Sequence, residues 1–181
     1  ATVVYERDIR GNITKLLYYD ESGEPILSDE GIAGADFVYD DNGNEIRRSF
    51  FNKEGKPTKG YLGFASRQHT YDGNGNMLTD RYLDVNGKYI LVDGVAGFDY
   101  KLDARGNIIE EIPVGTDGKL ASGKLLTRYK YDEKDNVIEL AYFNSAGKPA
   151  VNALHYHRET SVYNTRNQCV ESCYYDANGN L

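Results

Sequence analysis

The sequence predicts an all-β fold of tandem antiparallel β-hairpins, repeated about every 32 residues and stacked as an elongated solenoid or a meandering sheet. Three observations carry this prediction. A Gly-Asn dipeptide, or a degenerate form of it, recurs at intervals of 32, 32, 31, 29 and 32 residues. A glycine follows each of these anchors after 12 residues, and apolar residues alternate with polar ones in between. A period of two is typical of strands, and a fixed longer period indicates a repeat array.

The recurring dipeptide ends the pattern D-x-x-G-N, which predicts the first of two tight turns in every repeat. An Asp or Asn at the start of a turn accepts hydrogen bonds from the backbone, and glycine supplies the positive φ that ends the turn. The first position of the anchor is occupied by Gly11, Gly43, Gly75, Gly106, Asp135 and Asn167. The second turn ends at Gly23, Gly55, Gly87, Gly118, Gly147 and Gly179. We expect one strand of about six or seven residues between the two turns.

Alternation within that strand assigns its two faces. The third and seventh residues after the anchor are mostly apolar, whereas the fourth is polar in every repeat. The run before the first turn adds aromatic residues to the same face, so we expect this face to form the core. Pro113 cannot donate a backbone hydrogen bond, which predicts an edge strand or a local break. The G-x-A motif at Gly31 and Ala33 predicts close backbone approach between repeats.

The chain is predicted to be a single array of six repeats. Their approximate bounds are 1–32, 33–64, 65–95, 96–124, 125–156 and 157–181. Natural arrays finish in atypical capping repeats, but both ends of this chain keep the repeat register. We therefore expect a fragment of a longer array.

The repeat segments resemble two groups of bacterial repeat proteins. VYDDNGNE, TYDGNGNM and YYDANGNL resemble the YD repeats of RHS-type surface and toxin proteins, which implies a β-rich shell. LYYDESGEP and AYFNSAGKP are similar to the choline-binding and glucan-binding repeats of cell-wall proteins, which implies stacked hairpins with aromatic ligand cages. Choline cages depend on Trp, and the chain contains none, so the resemblance implies no choline site.

Charge and motif content disfavour several classes of function. The formal net charge is −7, so the basic surface that binds phosphate backbones is missing and we expect no nucleic-acid partner. No apolar stretch has the roughly 18 residues that a membrane span needs. No nucleophile elbow or phosphate-binding loop is present, and almost every distinctive residue belongs to the repeat. We therefore expect no enzymatic activity, no cofactor and no catalytic residue.

Three short motifs are candidates for metal or redox sites. The segment 72–80 begins like a calcium loop, but Asx turns explain its aspartates more simply. His155 and His157 would share one face of a strand, as a metal site or as ordinary surface residues. Cys169 and Cys173 would lie about 13 Å apart on a strand, too far for a mutual disulfide. We expect free, buried thiols, with a metal pair or an intermolecular bridge as the alternatives.

One row of residues, eight positions after each anchor, is the candidate binding site. Leu83 and Val114 complete this row, which otherwise consists of aromatic residues: Tyr19, Phe51, Phe143 and Tyr175. The row could hold a glycan or a protein partner, or it could form a second core layer. We expect a non-enzymatic module of a bacterial surface or secreted protein that binds carbohydrate or protein. The alternatives are a structural stalk or shell segment, and a repeat region attached to an enzyme or toxin elsewhere in the parent chain.

Overall fold

The computed structural model describes all 181 residues and shows one antiparallel sheet of 12 strands that lie side by side in chain order. The predicted all-β fold of tandem hairpins in a meandering sheet is confirmed. The structure has no helix that could cross a membrane. The chain forms two compact parts, Ala1–Gly97 and Phe98–Leu181, called here the N-terminal and C-terminal parts. The strands are β1 (Thr2–Arg7), β2 (Ile13–Tyr19), β3 (Gly34–Tyr39), β4 (Glu45–Phe51), β5 (Ser66–Tyr71), β6 (Met77–Leu83), β7 (Gly97–Leu102), β8 (Ile108–Val114), β9 (Leu126–Tyr131), β10 (Val137–Phe143), β11 (Arg158–Tyr163) and β12 (Cys169–Tyr175).

Each repeat contributes one hairpin, and the D-x-x-G-N pattern forms its turn. In the first hairpin the Gly11 N–H donates to the Asp8 carbonyl at 3.0 Å, and the Asp8 N–H donates to the Asn12 carbonyl at 3.0 Å. Gly11 has a φ of +90°, the left-handed conformation of a G1 bulge. Asp135 and Asn167 adopt the same conformation in later repeats, at +63° and +59°. The degenerate anchors therefore form the same turn as the glycine anchors.

The aspartate side chain holds the turn together. Asp8 Oδ1 accepts the backbone N–H groups of Arg10 and Asn12 at 2.9 Å each, and Oδ2 accepts the Asn12 side-chain amide at 3.0 Å. The Asn12 amide hydrogen bond lowers the pKa of the Asp8 carboxyl group. The same three bonds recur at Asp40, Asp72 and Asp132. The structure thus shows Asx-turn geometry where segment 72–80 begins like a calcium loop.

A connection with a third tight turn links each hairpin to the next. In the first connection Ile26 N–H donates to the Tyr18 carbonyl at 3.0 Å, and a tight turn closes at residues 28–31. Ala33 then joins two hairpins, because its carbonyl accepts the Tyr18 N–H at 3.0 Å and its N–H donates to the Phe51 carbonyl at 2.9 Å. The alanines of the G-x-A motif are buried in three repeats: Ala33, Ala65 and Ala96. The predicted close approach of neighbouring repeats is confirmed.

The core lies where the connections fold onto the second-turn end of the sheet. In the N-terminal part the Phe64 ring stacks between Phe50 and Tyr82, with centroid distances of 5.7 and 5.1 Å. Three tyrosines pack at equivalent positions in the C-terminal part, at 5.9 and 4.9 Å: Tyr142, Tyr156 and Tyr174. Aromatic contacts of this kind contribute beyond the apolar area that they bury.

The expectation that the face of the third and seventh residues after the anchor forms the core is not met in the first hairpin. In the first hairpin Val3 and Tyr5 are 39% and 50% exposed, although they share that face. β1 is an edge strand with a neighbour, β2, on one side only, so no strand shields these side chains on the other side.

Pro113 lies inside the sheet rather than at its edge, because β8 runs between β7 and β9. In other repeats the equivalent N–H donates to the next hairpin, as Tyr18 and Phe50 do to Ala33 and Ala65. Proline has no such donor. β8 pairs with β9 at two residue pairs only. Of the two predicted alternatives, the local break is the one observed.

Candidate functional site

The second face of the sheet carries charges that alternate in sign between neighbouring strands. In the N-terminal part Lys15 of β2 lies directly opposite Glu6 of β1 and Asp36 of β3. The Lys15 Nζ is 3.5 Å from Asp36 Oδ1, and both side chains are partly exposed. The charge of Lys15 is therefore matched by an acid on each side.

Two similar ladders cross this face in the C-terminal part. Glu110 of β8 contacts Lys101 at 2.6 Å and Arg128 at 2.7 Å. Burial by itself would raise the pKa of Glu110, but the hydrogen bonds from Lys101 and Arg128 outweigh it and lower the pKa. The second ladder has the same order of charges: Lys130, Glu139 and Arg158.

Two of the four aromatic candidates lie together in one cleft. Tyr19 at the end of β2 and Phe51 at the end of β4 line a space of about 260 Å³ on the charged face. Lys15 and Asp36 line the same space, and the Lys15 Nζ lies 5.9 Å from the centroid of the Phe51 ring. This site, which we call the Tyr19–Phe51 cleft, combines two rings with charges of both signs.

A glycine sets the position of one of the rings. A Cβ on Gly34 would lie 2.5 Å from Phe51 Cζ and would also collide with the Leu16 carbonyl oxygen. The Phe51 ring therefore lies across the backbone of β3, in space that only glycine leaves open. The Phe51 side of the cleft is therefore set by the pairing of β3 with β4.

The other two aromatic candidates lie in the C-terminal part and do not share a cleft. The Phe143 ring packs against the Arg128 guanidinium at 4.4 Å and meets the His157 ring edge-on at 5.2 Å. The Tyr175 ring lies under the Arg158 guanidinium at 4.2 Å and borders a separate hollow of about 540 Å³. Their exposed faces are thus partly taken up by arginines of the same chain.

The aliphatic members of the row are core residues. Leu83 is 7% exposed and Val114 is fully buried. The second core layer is therefore observed at these two positions. Only Tyr19 and Phe51 are brought together around an open space, and a binding role for the four aromatic residues stays a prediction.

Sequence reasoning missed a buried charge cluster in the third hairpin. Asp80 is 1% exposed, and its carboxylate accepts two hydrogen bonds from Arg67 at 2.7 and 2.8 Å. His69 Nε2 lies 3.3 Å from Asp80 Oδ1 without hydrogen-bond alignment, and its Nδ1 donates to the Glu45 carbonyl at 3.0 Å. One signal was available in the sequence: four of the five positions equivalent to His69 in the other repeats are aromatic, so a histidine there departs from the pattern.

The cysteines and histidines correct two expectations. Cys169 is exposed and Cys173 is half-buried, so both thiols are free in a strand, as predicted, but they are not buried. The reason is that β12 has a neighbour, β11, on one side only. His155 lies in a turn with a φ of +66°, and His157 Nδ1 donates to the Tyr142 carbonyl at 2.7 Å. The two imidazoles therefore do not share one face of a strand.

Comparison with known proteins gives structural neighbours only. No protein-family model and no curated protein matches the chain. The crystal structure of TcdB2-TccC3-Cdc42 matches 92% of this chain and 9% of its own, at 15% identity and a TM-score of 0.42. A mutated Tc holotoxin pore from Photorhabdus luminescens matches 95% and 10%, at 14% identity and a TM-score of 0.30. The crystal structure of TcdB2-TccC3-TEV matches 97% and 11%, at 14% identity and a TM-score of 0.27. The chain thus spans about a tenth of the length of each neighbour.

Proposed function

We propose that the chain is a non-enzymatic repeat module of a bacterial surface or secreted protein, and that it binds carbohydrate or a protein partner. The observation that supports this proposal is the Tyr19–Phe51 cleft. It presents two half-buried rings and charged groups of both signs in a space fixed by paired strands. Ligand sites typically combine an apolar lining with a few placed polar groups.

A binding role fits the way the chain uses its reactive side chains. The turn aspartates accept backbone N–H groups, as Asp8 and Asp40 do. His69 and His157 each donate Nδ1–H to a backbone carbonyl. These groups therefore hold the fold, whereas Tyr19 and Phe51 border open space. A bacterial surface or secreted setting follows from the resemblance of the Y-D-x-x-G-N segments to RHS-type repeats.

A glycan array probed with the full chain tests the proposal, together with capture of protein partners under the same conditions. Phe51→Leu removes the ring but keeps an apolar side chain, and it should abolish retention while the far-UV circular dichroism and the melting temperature stay close to wild type. Tyr61→Leu is the matched control, because Tyr61 is 83% exposed and lies outside the cleft. Retention that survives Phe51→Leu, or an absence of any glycan or protein partner, would contradict the proposal.

A second candidate function is a structural stalk or shell segment, favoured by the hydrogen bonds that tie consecutive repeats. Tyr39 Oη donates to the Ile13 carbonyl at 2.9 Å, and Tyr71 Oη donates to the Glu45 carbonyl at 2.9 Å. Tyr131 Oη makes the same bond to Ile108 at 2.7 Å. A structural spacer needs such hydrogen bonds between its repeats, and it does not need a binding cleft. It would retain its role in the parent protein after Phe51→Leu and would lose it after combined Tyr→Phe substitutions at these ties.

A further inference from the structure

We infer that the Tyr19–Phe51 cleft is built for an uncharged saccharide, a more specific claim that rests on the proposed binding function. The charges, the strand pairing and the size of the cleft each disfavour another class of ligand. What remains is a ligand with apolar C–H faces and hydroxyl groups that both donate and accept.

The charge of the cleft disfavours an anionic ligand. Glu6, Lys15, Asp36 and Lys53 all line it, so two positive and two negative formal charges cancel. Lys15 lies 5.9 Å from the centroid of the Phe51 ring, and it stands between Glu6 and Asp36 in the strand register. An incoming carboxylate would have to compete with Asp36, and the net charge of −7 on the chain would repel it at longer range.

A cationic ligand is disfavoured by the same lysine. Quaternary ammonium groups bind over the electron-rich faces of aromatic rings. The Lys15 ammonium already lies 5.9 Å from the centroid of the Phe51 ring. A second cation at that face would meet a like charge at short range, so the cleft is not an ammonium cage.

An extended peptide is disfavoured by the strand pairing. Peptides commonly bind by adding a strand to an open sheet edge. Both edges of β2 are occupied in this region, because Lys15 pairs with Glu6 on one side and with Asp36 on the other. The volume of about 260 Å³ is also slightly below the ~300 Å³ at which the usual range of ligand pockets begins. The cleft therefore suits one or two compact rings rather than a chain of side chains.

A neutral pyranose satisfies each of these restrictions. Its C–H face can lie on the Phe51 or Tyr19 ring, which offers a flat apolar surface at little cost in conformational entropy. Its hydroxyl groups can accept from a lysine ammonium and donate to a carboxylate such as that of Asp36. A cleft with balanced charges serves both roles without favouring a charged ligand.

Isothermal titration of the full chain with four probes tests the inference. The probes are maltohexaose and cellohexaose as neutral oligomers, hexagalacturonic acid as an anionic oligomer and tetramethylammonium chloride as a cation. We expect saturable binding of a neutral oligomer, and at most weak, non-saturating heats from the other two. Phe51→Leu and Tyr19→Leu should each weaken binding about tenfold. Tyr61→Leu should leave it unchanged, and circular dichroism should show each variant folded.

The alternative outcomes separate this inference from the proposed function. Tighter binding of hexagalacturonic acid or tetramethylammonium than of the neutral oligomers, lost in Phe51→Leu, would overturn the uncharged-ligand inference and support the binding function. Capture of a protein partner that requires Phe51, with no saccharide bound, would also overturn the saccharide inference and support the binding function. Neutral-oligomer binding that neither cleft variant weakens would place the site elsewhere and overturn the inference. No ligand or partner of any kind would overturn both.

Discussion

Arg67 and Asp80 form a bidentate ion pair across the β5–β6 hairpin, in which the arginine Nε and Nη2 lie 2.7 and 2.8 Å from the two carboxylate oxygens. The pair is asymmetric, because Asp80 is 1% exposed and the Arg67 side chain is 40% exposed. Burial alone would raise the pKa of Asp80, but the His69 imidazole 3.3 Å away and the two hydrogen bonds from Arg67 outweigh it and lower the pKa to about 2. Asp80 is therefore charged and buried at neutral pH.

Removing Arg67 should cost more than removing an arginine whose acidic partner is less buried than Asp80. Arg67→Met leaves a buried carboxylate without its main partner, and we expect the free energy of unfolding at pH 7 to fall by about 3 to 5 kcal/mol. The lowered pKa of Asp80 gives wild type a stabilisation that is complete above the unfolded pKa of 3.8 and is lost as the pH falls toward about 2. The difference in the free energy of unfolding between wild type and Arg67→Met should therefore become smaller as the pH falls from 5 to about 2.

Urea unfolding at several pH values measures this gap. Arg48→Met is the matched control, because its partner Glu45 is 20% exposed where Asp80 is 1% exposed, and the Arg48–Glu45 pair should contribute at most about 1 kcal/mol. A gap for Arg67→Met that does not change with pH would show that the Asp80 carboxylate is not the group destabilised.

Turn chemistry explains why so much of this fold could be predicted from the sequence. The D-x-x-G-N pattern specifies a local hydrogen-bond set, so both turns and the strand between them follow from residue types alone. Degenerate turns keep an equivalent bond. In the sixth repeat Asn164 Nδ2 donates to Gln168 Oε1 at 3.0 Å, whereas in the first repeat the later residue, Asn12, donates to Asp8. Local chemistry of this kind leaves a signature in every repeat.

The parts that escaped prediction depend on contacts between distant residues. The repeat pattern does not place the connections, yet a bridge such as Tyr19 to Pro25 holds each one against the sheet beside buried residues of the core. The cleft could not be foreseen either. It depends on Gly34 lying under a ring 17 positions later in the chain, a relationship that alternation of apolar residues does not encode.

The tyrosine hydroxyl hydrogen bonds between repeats should each make a small, independent contribution to the stability of the fold. Tyr39→Phe removes the hydroxyl that donates to the Ile13 carbonyl, and we expect a loss of about 1 kcal/mol in the free energy of unfolding. Tyr131→Phe, which removes the bond to Ile108, should cost a similar amount. Tyr61→Phe should stay within about 0.5 kcal/mol of wild type, because that side chain is exposed. Equal stabilities for Tyr39→Phe and Tyr61→Phe in urea titrations would count against the tie.

Two glycines provide a matched test of the cleft wall. Gly34→Ala forces the Phe51 ring and the β3 backbone apart, so we expect a destabilisation of about 1 to 3 kcal/mol. Gly73→Ala meets no atom within 4 Å, and it should leave stability unchanged or raise it by up to about 1 kcal/mol by restricting the unfolded chain. Thermal melts of both variants check the difference. A neutral Gly34→Ala would mean that the ring does not rest on this backbone.

Neutralising one acid of the cleft should change its ligand preference. Asp36→Asn leaves Lys15 with Glu6 as its remaining acidic strand partner, so affinity for hexagalacturonic acid should rise by up to about fivefold relative to a neutral hexaose. Asp29→Asn makes the same change of charge outside the cleft, and it should not alter the ratio. Titrations of both variants at low and high salt measure the effect, which should shrink as salt screens the charges. An unchanged ratio in Asp36→Asn would contradict charge balance as the basis of selectivity.

The two cysteines should differ in their rates of alkylation. Cys169 is exposed, while Cys173 Sγ lies 3.5 Å from Glu171 Oε1, a hydrogen bond that raises the pKa of the Cys173 thiol. Because the thiolate is the reactive form, Cys173 should react more slowly with iodoacetamide at pH 7.5. Glu171→Gln should speed the alkylation of Cys173 and leave that of Cys169 unchanged. The Cys169 Sγ contacts the backbone carbonyl of Glu171 and not its carboxylate. Peptide mass spectrometry after timed quenching reads both rates. Faster labelling of Cys173 than of Cys169 in wild type, or no response to Glu171→Gln, would contradict this account of the two thiols.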